Sequence, residues 1–373
     1  MNTSLEETLA LYDYQIAQDR IATVPATPRD SAKLLIYDRK TGATSFSTFA
    51  DICEYLPKNA VLVFNKTKVF PARMRLKKST GGMISALYIA VETTRWGVSV
   101  IRTLAEGKIK TSDKLDWENG HFFTVTERDG KYAMLQPSFP VEELPMLLEK
   151  FGETPLPPYI KNSALNETER RSEYQTVFAK DNGSVAAPTA GLHFTENLIT
   201  KIEQSGRSIR YVTLHVGLGT FAPVTDEHWE KKQLHEEWYE IDSETADFLQ
   251  KAKAEGRPII AVGTTVTRAL ESAFSVETTR WDVSGSTISN PASSKTCAPH
   301  VSTRLNGTTN IFLTPDNPPH FIDGLITNFH VPKSSLLMLV SALTGREKLL
   351  DLYNQAIEKD FRFFSFGDGM MIV

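Results

Sequence analysis

The hydrophobic pattern changes character along the chain. Near the amino terminus, Leu34–Tyr37 and the continuous apolar run Ala60–Phe64 predict two short strands, the second buried on both faces. The polar Asn65 follows directly. A polar residue just past a buried strand is a common ligand contact in α/β proteins, although Asn there could equally cap a turn.

The second half alternates between helix and strand patterns. Thr195 is predicted to cap a helix that runs to Gly206, and a strand follows at 207–216. Ser243 is predicted to cap a second helix that ends near Gly256, and a strand follows at 258–262. This alternation predicts a mostly parallel α/β sheet.

Between residues 67 and 140 the pattern is instead typical of β-hairpins. Strand-like runs at 96–101 and 122–126 are separated by three turn dipeptides, Glu106-Gly107, Asn119-Gly120 and Asp129-Gly130. We therefore expect an antiparallel sheet or barrel, ended by a helix at 141–151. It would form an inserted domain over 67–151, and residues 1–66 and 152–373 would form the α/β domain.

Polar residues recur where later strands end. A strand ending in Val262-Gly263 leads into a helix with Thr264 or Thr265 at its amino terminus, where free N–H groups favour a polar ligand. A strand from Gly324 leads through Asn328 and His330 to a buried helix that begins near Ser334. Asp368 is expected to follow an aromatic strand, and 276–308 to form a long exposed loop. We expect one cleft at these strand ends.

Two runs of small residues, 186–191 and 217–220, each adjoin a histidine, His193 or His215. Small residues allow backbone N–H groups to approach a ligand, and Thr189, Thr195 and Thr220 add hydroxyls. Tight packing of a helix on a strand would explain either run alone. Together they favour a binding site.

Composition and charge narrow the function. With 41% hydrophobic and 23% charged residues the chain is typical of a soluble globular protein, and no apolar run approaches the ~18 residues of a membrane span. Two distant cysteines and an acidic, polar start favour a reducing cytoplasm. The net charge is −4, yet six cations and no acid occupy 66–78. That segment is either an anion-binding surface or a lysine-protected edge strand.

Several familiar motifs are absent from the sequence: CxxC and HExxH metal patterns, the phosphate-binding GxxxxGK[ST] loop and the GxSxG nucleophile turn. What remains is a metal-free set of His, Thr, Asn and Arg residues beside a basic, β-rich segment. It suits a transferase that handles a nucleotide-like ligand and holds a larger anionic partner.

Seven segments resemble the motifs of the S-adenosylmethionine:tRNA ribosyltransferase-isomerase family, in the same order: 156–160, 174–177, 183–195, 214–221, 262–272, 325–335 and 363–368. The resemblance implies an α/β domain with an inserted β-barrel. It also implies transfer of the ribosyl part of S-adenosylmethionine to 7-aminomethyl-7-deazaguanine at the tRNA wobble position, giving epoxyqueuosine, adenine and methionine, with no metal.

The resemblance also implies roles for residues of this chain. A base must remove a proton beside the sulfonium, and His193, His215 and His330 remain alternatives. Thr264, Asn328 or the histidines that do not act as the base could hydrogen-bond the departing adenine. Glu237 or Asp368 could face the sulfonium, and Arg73 and Arg75 could contact tRNA phosphates. Further substrate-binding candidates are Asn65, Thr189, Thr220, His235, Arg268, Glu271 and Ser334.

The chain departs from the family's usual residues at several positions, among them Lys33, Ser85 and Ala222. Two alternatives therefore stand beside the family reaction: a paralogue that uses S-adenosylmethionine with another acceptor, and a non-catalytic RNA-binding protein. We expect a monomer.

Overall fold

The computed structural model describes residues 4–160, 163–217, 224–274 and 305–373. The chain forms two compact units. Unit 1 comprises residues 1–66, 188–214 and 223–373, and unit 2 comprises residues 67–187 and 215–222. Unit 2 thus contains the whole of the segment 67–151 that the sequence predicts to be inserted.

The described helices are α1 Leu5–Ala10, α2 Ile52–Tyr55, α3 Leu144–Phe151, α4 Glu167–Glu173, α5 Glu196–Gln204, α6 Asp226–Lys231, α7 Ser243–Ala254, α8 Thr264–Phe274, α9 Ser335–Thr344 and α10 Arg346–Glu358. The described strands are β1 Lys33–Tyr37, β2 Thr44–Thr48, β3 Val61–Asn65, β4 Thr67–Val69, β5 Arg73–Lys78, β6 Met83–Thr93, β7 Ser99–Glu106, β8 Lys114–Asp116, β9 Phe122–Asp129, β10 Tyr132–Pro137, β11 Asp181–Ser184, β12 Ser208–Leu214, β13 Gln233–Ile241, β14 Ile259–Val262, β15 Leu305–Ile311, β16 Gly324–Asn328 and β17 Gly369–Ile372.

Unit 1 is built on a nine-stranded sheet in the order β15-β13-β12-β3-β14-β16-β17-β1-β2. Four adjacent strands, β12, β3, β14 and β16, run parallel. Both flanks add antiparallel pairs, β12 with β13 and β16 with β17. The predicted α/β class is confirmed, and the parallel strands occupy the middle of the sheet.

Local sequence accounts for most of these elements. Every residue of β3 is buried, as its continuous apolar run requires. Thr195 caps α5, its hydroxyl accepting from Leu198 N at 3.1 Å. The predicted cap Ser243 is wrong by one residue, because Asp242 Oδ1 accepts from Thr245 N at 2.8 Å and Ser243 is the first helical residue.

Unit 2 contains a closed barrel in the order β10-β7-β6-β5-β8-β9. The predicted antiparallel barrel is confirmed. The edge-strand interpretation of the basic segment is wrong for β5, which pairs with both β6 and β8. Glu106-Gly107 does not form a hairpin, because β7 pairs with β6 and β10 and not with the next strand, β8. Trp96 precedes β7 in a turn.

Two further expectations near the carboxyl terminus need correction. Residues 305–308 belong to β15, paired with β13, and the rest of the predicted loop, 276–304, lies outside the described residues. Asp368 does not follow a strand but precedes β17, because the aromatic segment before it turns back, with Gly367 N bonded to Phe364 O. None of the described helices has the length and apolar character needed to cross a membrane.

Candidate functional site

Polar side chains lie at the carboxyl ends of the central parallel strands of unit 1. Asn65 ends β3, Asn328 ends β16, and Thr264 and Thr265 follow β14 through Gly263. Because neighbouring parallel strands end at one edge of a sheet, these groups share that edge, the usual ligand position in α/β sheets. We call Asn65, Thr264, Thr265, Asn328 and the adjoining His193 the carboxyl-edge cluster.

The Asn65 side chain is buried and joins two strands. Its Nδ2 donates to Leu214 O at 2.9 Å, and its Oδ1 accepts from Leu214 N at 3.1 Å. Nδ2 also lies 3.3 Å from Thr265 Oγ1. Asn65 therefore positions the ends of β3 and β12 and the start of α8. A residue that only capped a turn would not join these three elements.

Gly263 makes the turn from β14 into α8. Its φ is +99°, and a Cβ there would lie 3.8 Å from the Cβ of Ala190 in the turn 189–193. Glycine tolerates this φ, so the chain can turn directly from the strand into the helix. Thr264 and Thr265 are buried at the first turn of α8, beside the small residues of that turn.

His193 is buried within the cluster. Its ring stacks on Phe49 with centroids 4.1 Å apart, and its Nε2 lies 3.1 Å from Asn328 Nδ2. Burial first, and then the charges of Arg362 and Arg29, lower the pKa of His193 to about 3. The imidazole is therefore neutral near pH 7, and Nε2 accepts the amide hydrogen of Asn328. Asn328 Oδ1 is buried and accepts no hydrogen bond from the described residues.

His215 belongs to unit 2. Its Nδ1 lies 2.9 Å from Thr67 Oγ1, which is itself 3.5 Å from Asp181 O. A Cβ at Gly183 would lie 2.7 Å from the imidazole Nε2, so only glycine leaves room for the ring. His215 also lines a cavity of about 430 Å³ together with Phe70, Tyr88, Leu148 and Asn182, among other residues of unit 2.

His330 is hydrogen-bonded to three neighbours in unit 1. Its Nε2 is hydrogen-bonded to Thr327 Oγ1 at 2.9 Å, its backbone N donates to the buried Tyr353 hydroxyl at 2.9 Å, and its carbonyl accepts from Tyr14. Desolvation lowers the pKa of His330 to about 4. Like His193 it is neutral near pH 7.

Arg268 and Glu271, both substrate-binding candidates from the sequence, are buried on α8 and bind other parts of the protein. Arg268 is buried and forms an ion pair with the buried Glu237, and its Nη2 reaches the carbonyls of His235 and Thr309 at 3.3 and 3.4 Å. Glu271 is buried as well, and its carboxylate accepts from the backbone N of 320, 321 and 322 at 2.8–3.1 Å. These carboxylates are thus engaged by the protein itself. The His235 imidazole is exposed and packs edge-on against His228.

Asp368 and Ser334 also bond to backbone. Asp368 is buried, its oxygens accept from Lys33 N at 2.9 Å and Arg362 N at 2.7 Å, and desolvation raises its pKa. Ser334 caps α9. Thr189 lies half-buried in the turn 189–193, and Thr220 lies outside the described residues.

The predicted RNA-contacting arginines lie on β5, where the alternate residues Met74 and Leu76 are buried. Arg73 donates to Ser85 Oγ at 2.9 Å, and desolvation lowers its pKa. Arg75 pairs with Glu153 at 2.5 Å, which raises its pKa. Thus Ser85, one of the departures from the family pattern, holds Arg73 in place.

Lys33 and Ala222 are two more of these departures. Lys33 Nζ donates to the carbonyls of Lys359 and Asp360 at 2.9 and 3.0 Å, so its cation is used to fix the chain before β17. Ala222 lies outside the described residues.

Sequence reasoning missed two residues that support the histidines, Phe49 and Thr67. Phe49 is remote in sequence from His193, and nothing in the local pattern marks its stacking. Thr67 comes two residues after Asn65, in the same polar stretch that follows the buried strand, and could have been noticed there. Among the described residues, no three His, Cys, Asp or Glu side chains are grouped as a metal site would require.

Two comparisons with known proteins bear on identity. The family described as queuosine biosynthesis protein matches residues 9–372. The fold is similar to that of the S-adenosylmethionine tRNA ribosyltransferase of Thermotoga maritima. The TM-score is 0.52, with 27% sequence identity over 97% of this chain and 100% of that one. Because the family match spans nearly the whole sequence, this chain belongs to the queuosine biosynthesis protein family.

Proposed function

We propose that this protein is an S-adenosylmethionine:tRNA ribosyltransferase-isomerase. It transfers and isomerises the ribosyl moiety of S-adenosylmethionine onto 7-aminomethyl-7-deazaguanine at the tRNA wobble position, gives epoxyqueuosine, and releases adenine and methionine. The observation that carries this proposal is the family match over residues 9–372. S-adenosylmethionine is then a co-substrate, tRNA the acceptor, and the cytoplasm the place of reaction.

Among the three histidines, we assign the proton-abstracting role to His215. His193 and His330 have lowered pKa values, of about 3 and about 4, which makes them weak bases. The Thr67 hydroxyl can donate to Asp181 O and accept from His215 Nδ1–H. That arrangement favours the tautomer whose Nε2 is basic, in a ring that lines a cavity.

The departing adenine needs hydrogen-bond partners, and the carboxyl-edge cluster offers them. Asn328 Oδ1 is a buried acceptor that the described residues leave unpaired, and it suits an amino or ring N–H of a purine. The first turn of α8 places the Thr264 hydroxyl and backbone N–H beside the same strand edge. His193, held neutral, positions the Asn328 amide.

The test is adenine release from S-adenosylmethionine by the purified protein. The acceptor is a tRNA with 7-aminomethyl-7-deazaguanine at the wobble position, and the same tRNA with guanine there is the matched control. Adenine is measured by chromatography, and the wobble nucleoside by mass spectrometry. We expect adenine and epoxyqueuosine only with the modified tRNA.

Other outcomes point to the alternatives. Adenine released without epoxyqueuosine, or with the guanine tRNA to the same extent, would contradict the proposed acceptor and favour a paralogue. Tight tRNA binding with no adenine release under any condition would favour a non-catalytic RNA-binding protein.

A further inference from the structure

The hairpin between β6 and β7 extends beyond the barrel wall. β5 pairs with β6 only as far as Leu87, and β10 pairs with β7 only from Ile101 onward. In between, β6 and β7 pair with each other and with no other described strand, out to Thr93 opposite Ser99. A turn closes the end, where Thr94 N donates to Val98 O at 2.8 Å. We call residues 90–100 the ribbon.

The ribbon exposes apolar side chains at its tip. Trp96 is 76% exposed, and Val91 and Val98 are 43% and 37% exposed. The guanidinium of Arg95 lies 4.5 Å from the centre of the Trp96 ring. A large aromatic ring with so little of its surface packed against the protein contributes little to folding. Its flat face, with a cation nearby, provides a surface on which an unstacked base can stack.

A groove of about 660 Å³ adjoins this ring. Hydroxyl and amide side chains line it from the ribbon and from the neighbouring barrel strands, among them Thr93, Thr94, Thr126 and Gln136. Such groups hydrogen-bond base edges. Two acids, Glu92 and Glu127, also line the groove, and Glu92 pairs with Arg102 at 3.4 Å. The groove therefore offers polar contacts next to a stacking surface.

We propose that the ribbon binds an unstacked base of the tRNA anticodon loop, with Trp96 against the base and Arg95 beside it. This inference rests on the proposed function, which makes a tRNA loop the substrate. Single-stranded RNA fits better than a protein partner, because three exposed side chains fall far short of the ~800 Å² that each side of a stable protein interface buries. Aromatic stacking accepts any base, and the groove hydroxyls add selectivity.

The experiment measures the affinity of the full chain for an anticodon stem-loop RNA with 7-aminomethyl-7-deazaguanine at the wobble position. S-adenosylmethionine is left out, so that no reaction interferes. The variants are Trp96→Ala and Trp96→Phe. Met146→Ala is the matched control, since Met146 is 62% exposed on α3 of the same unit. A blunt RNA duplex of equal length is the control ligand, and the salt dependence of affinity is recorded.

We expect Trp96→Ala to weaken stem-loop binding by about 5- to 100-fold, and Trp96→Phe to restore most of it. Duplex affinity and the slope of affinity against salt should stay unchanged, because no phosphate contact is lost. Unchanged stem-loop affinity in Trp96→Ala, or an equal loss in Met146→Ala, would overturn the inference. A wild-type chain that binds no stem-loop would contradict the proposed function as well.

Discussion

The side chain of Asn65 pairs with both backbone groups of Leu214, accepting from its N–H at 3.1 Å and donating to its carbonyl at 2.9 Å. This pairing imitates a rung of the β-ladder where β3 and β12 end. It holds two strands of the parallel centre together at the edge that carries the carboxyl-edge cluster.

Replacing Asn65 by Ala is expected to destabilise the protein by about 3 kcal/mol. Both backbone groups of Leu214 are buried, and each would lose its partner without gaining water. The measurement is the free energy of unfolding in urea. Asn354→Ala, at an exposed position of α10, is the control and should show no such loss. Equal stability of the two variants would show that the Asn65 pairing does not hold the sheet edge.

The lowered pKa of His193 predicts a pH dependence of stability. In the unfolded chain His193 binds a proton below about pH 6.5, whereas in the folded chain it does so only below about pH 3. The free energy of unfolding should therefore fall with decreasing pH through this window, by up to about 1.4 kcal/mol per unit for this group. Above pH 6.5 the group contributes no slope.

His193→Gln removes the titrating ring, so its free energy of unfolding should fall less steeply between pH 6.5 and pH 4 than that of the wild type. Asn354→Ala, at an exposed position of α10, should keep the wild-type slope. Urea unfolding at a series of pH values measures both. Parallel curves for all three proteins would mean that His193 is not held neutral by burial.

Replacing Gly183 by Ala is expected to reduce activity selectively. An alanine there would put its Cβ 2.7 Å from the His215 imidazole, which must then move from its position beside Thr67. If His215 is the base, adenine release should fall about 100-fold or more, the usual contribution of a positioned base. Gly82→Ala is the control, since its Cβ would meet nothing nearer than 3.8 Å.

If Gly183→Ala still binds tRNA, unit 2 is folded and the loss of activity comes from the displaced His215. Activity equal to that of Gly82→Ala would contradict the assignment of His215 and return the role to the other histidines. The measurement is the initial rate of adenine formation at saturating tRNA, with circular dichroism to check the fold of each variant.

Much of the fold was predictable because local patterns determine it. The apolar run before Asn65 can only be a buried strand, Thr195 caps its helix through a neighbouring amide, and repeated turn dipeptides in 67–140 indicate an antiparallel domain. Two predictions failed even though the deciding contact is local, because the sequence there is compatible with more than one short-range hydrogen-bond arrangement. Asp242, not Ser243, caps α7, and the aromatic segment before Asp368 turns instead of forming a strand.

By itself, the sequence determined the two kinds of domain and the polar residues that end the central strands, since periodicity and turn chemistry act over a few residues. Only the tertiary structure decided what those residues do. Glu271 is held by amides about fifty positions away in sequence, Glu237 by Arg268, and His193 is kept neutral by burial against Phe49. Desolvation and pairing depend on the groups that surround a side chain in three dimensions, and the spacing of residues along the sequence does not reveal those groups.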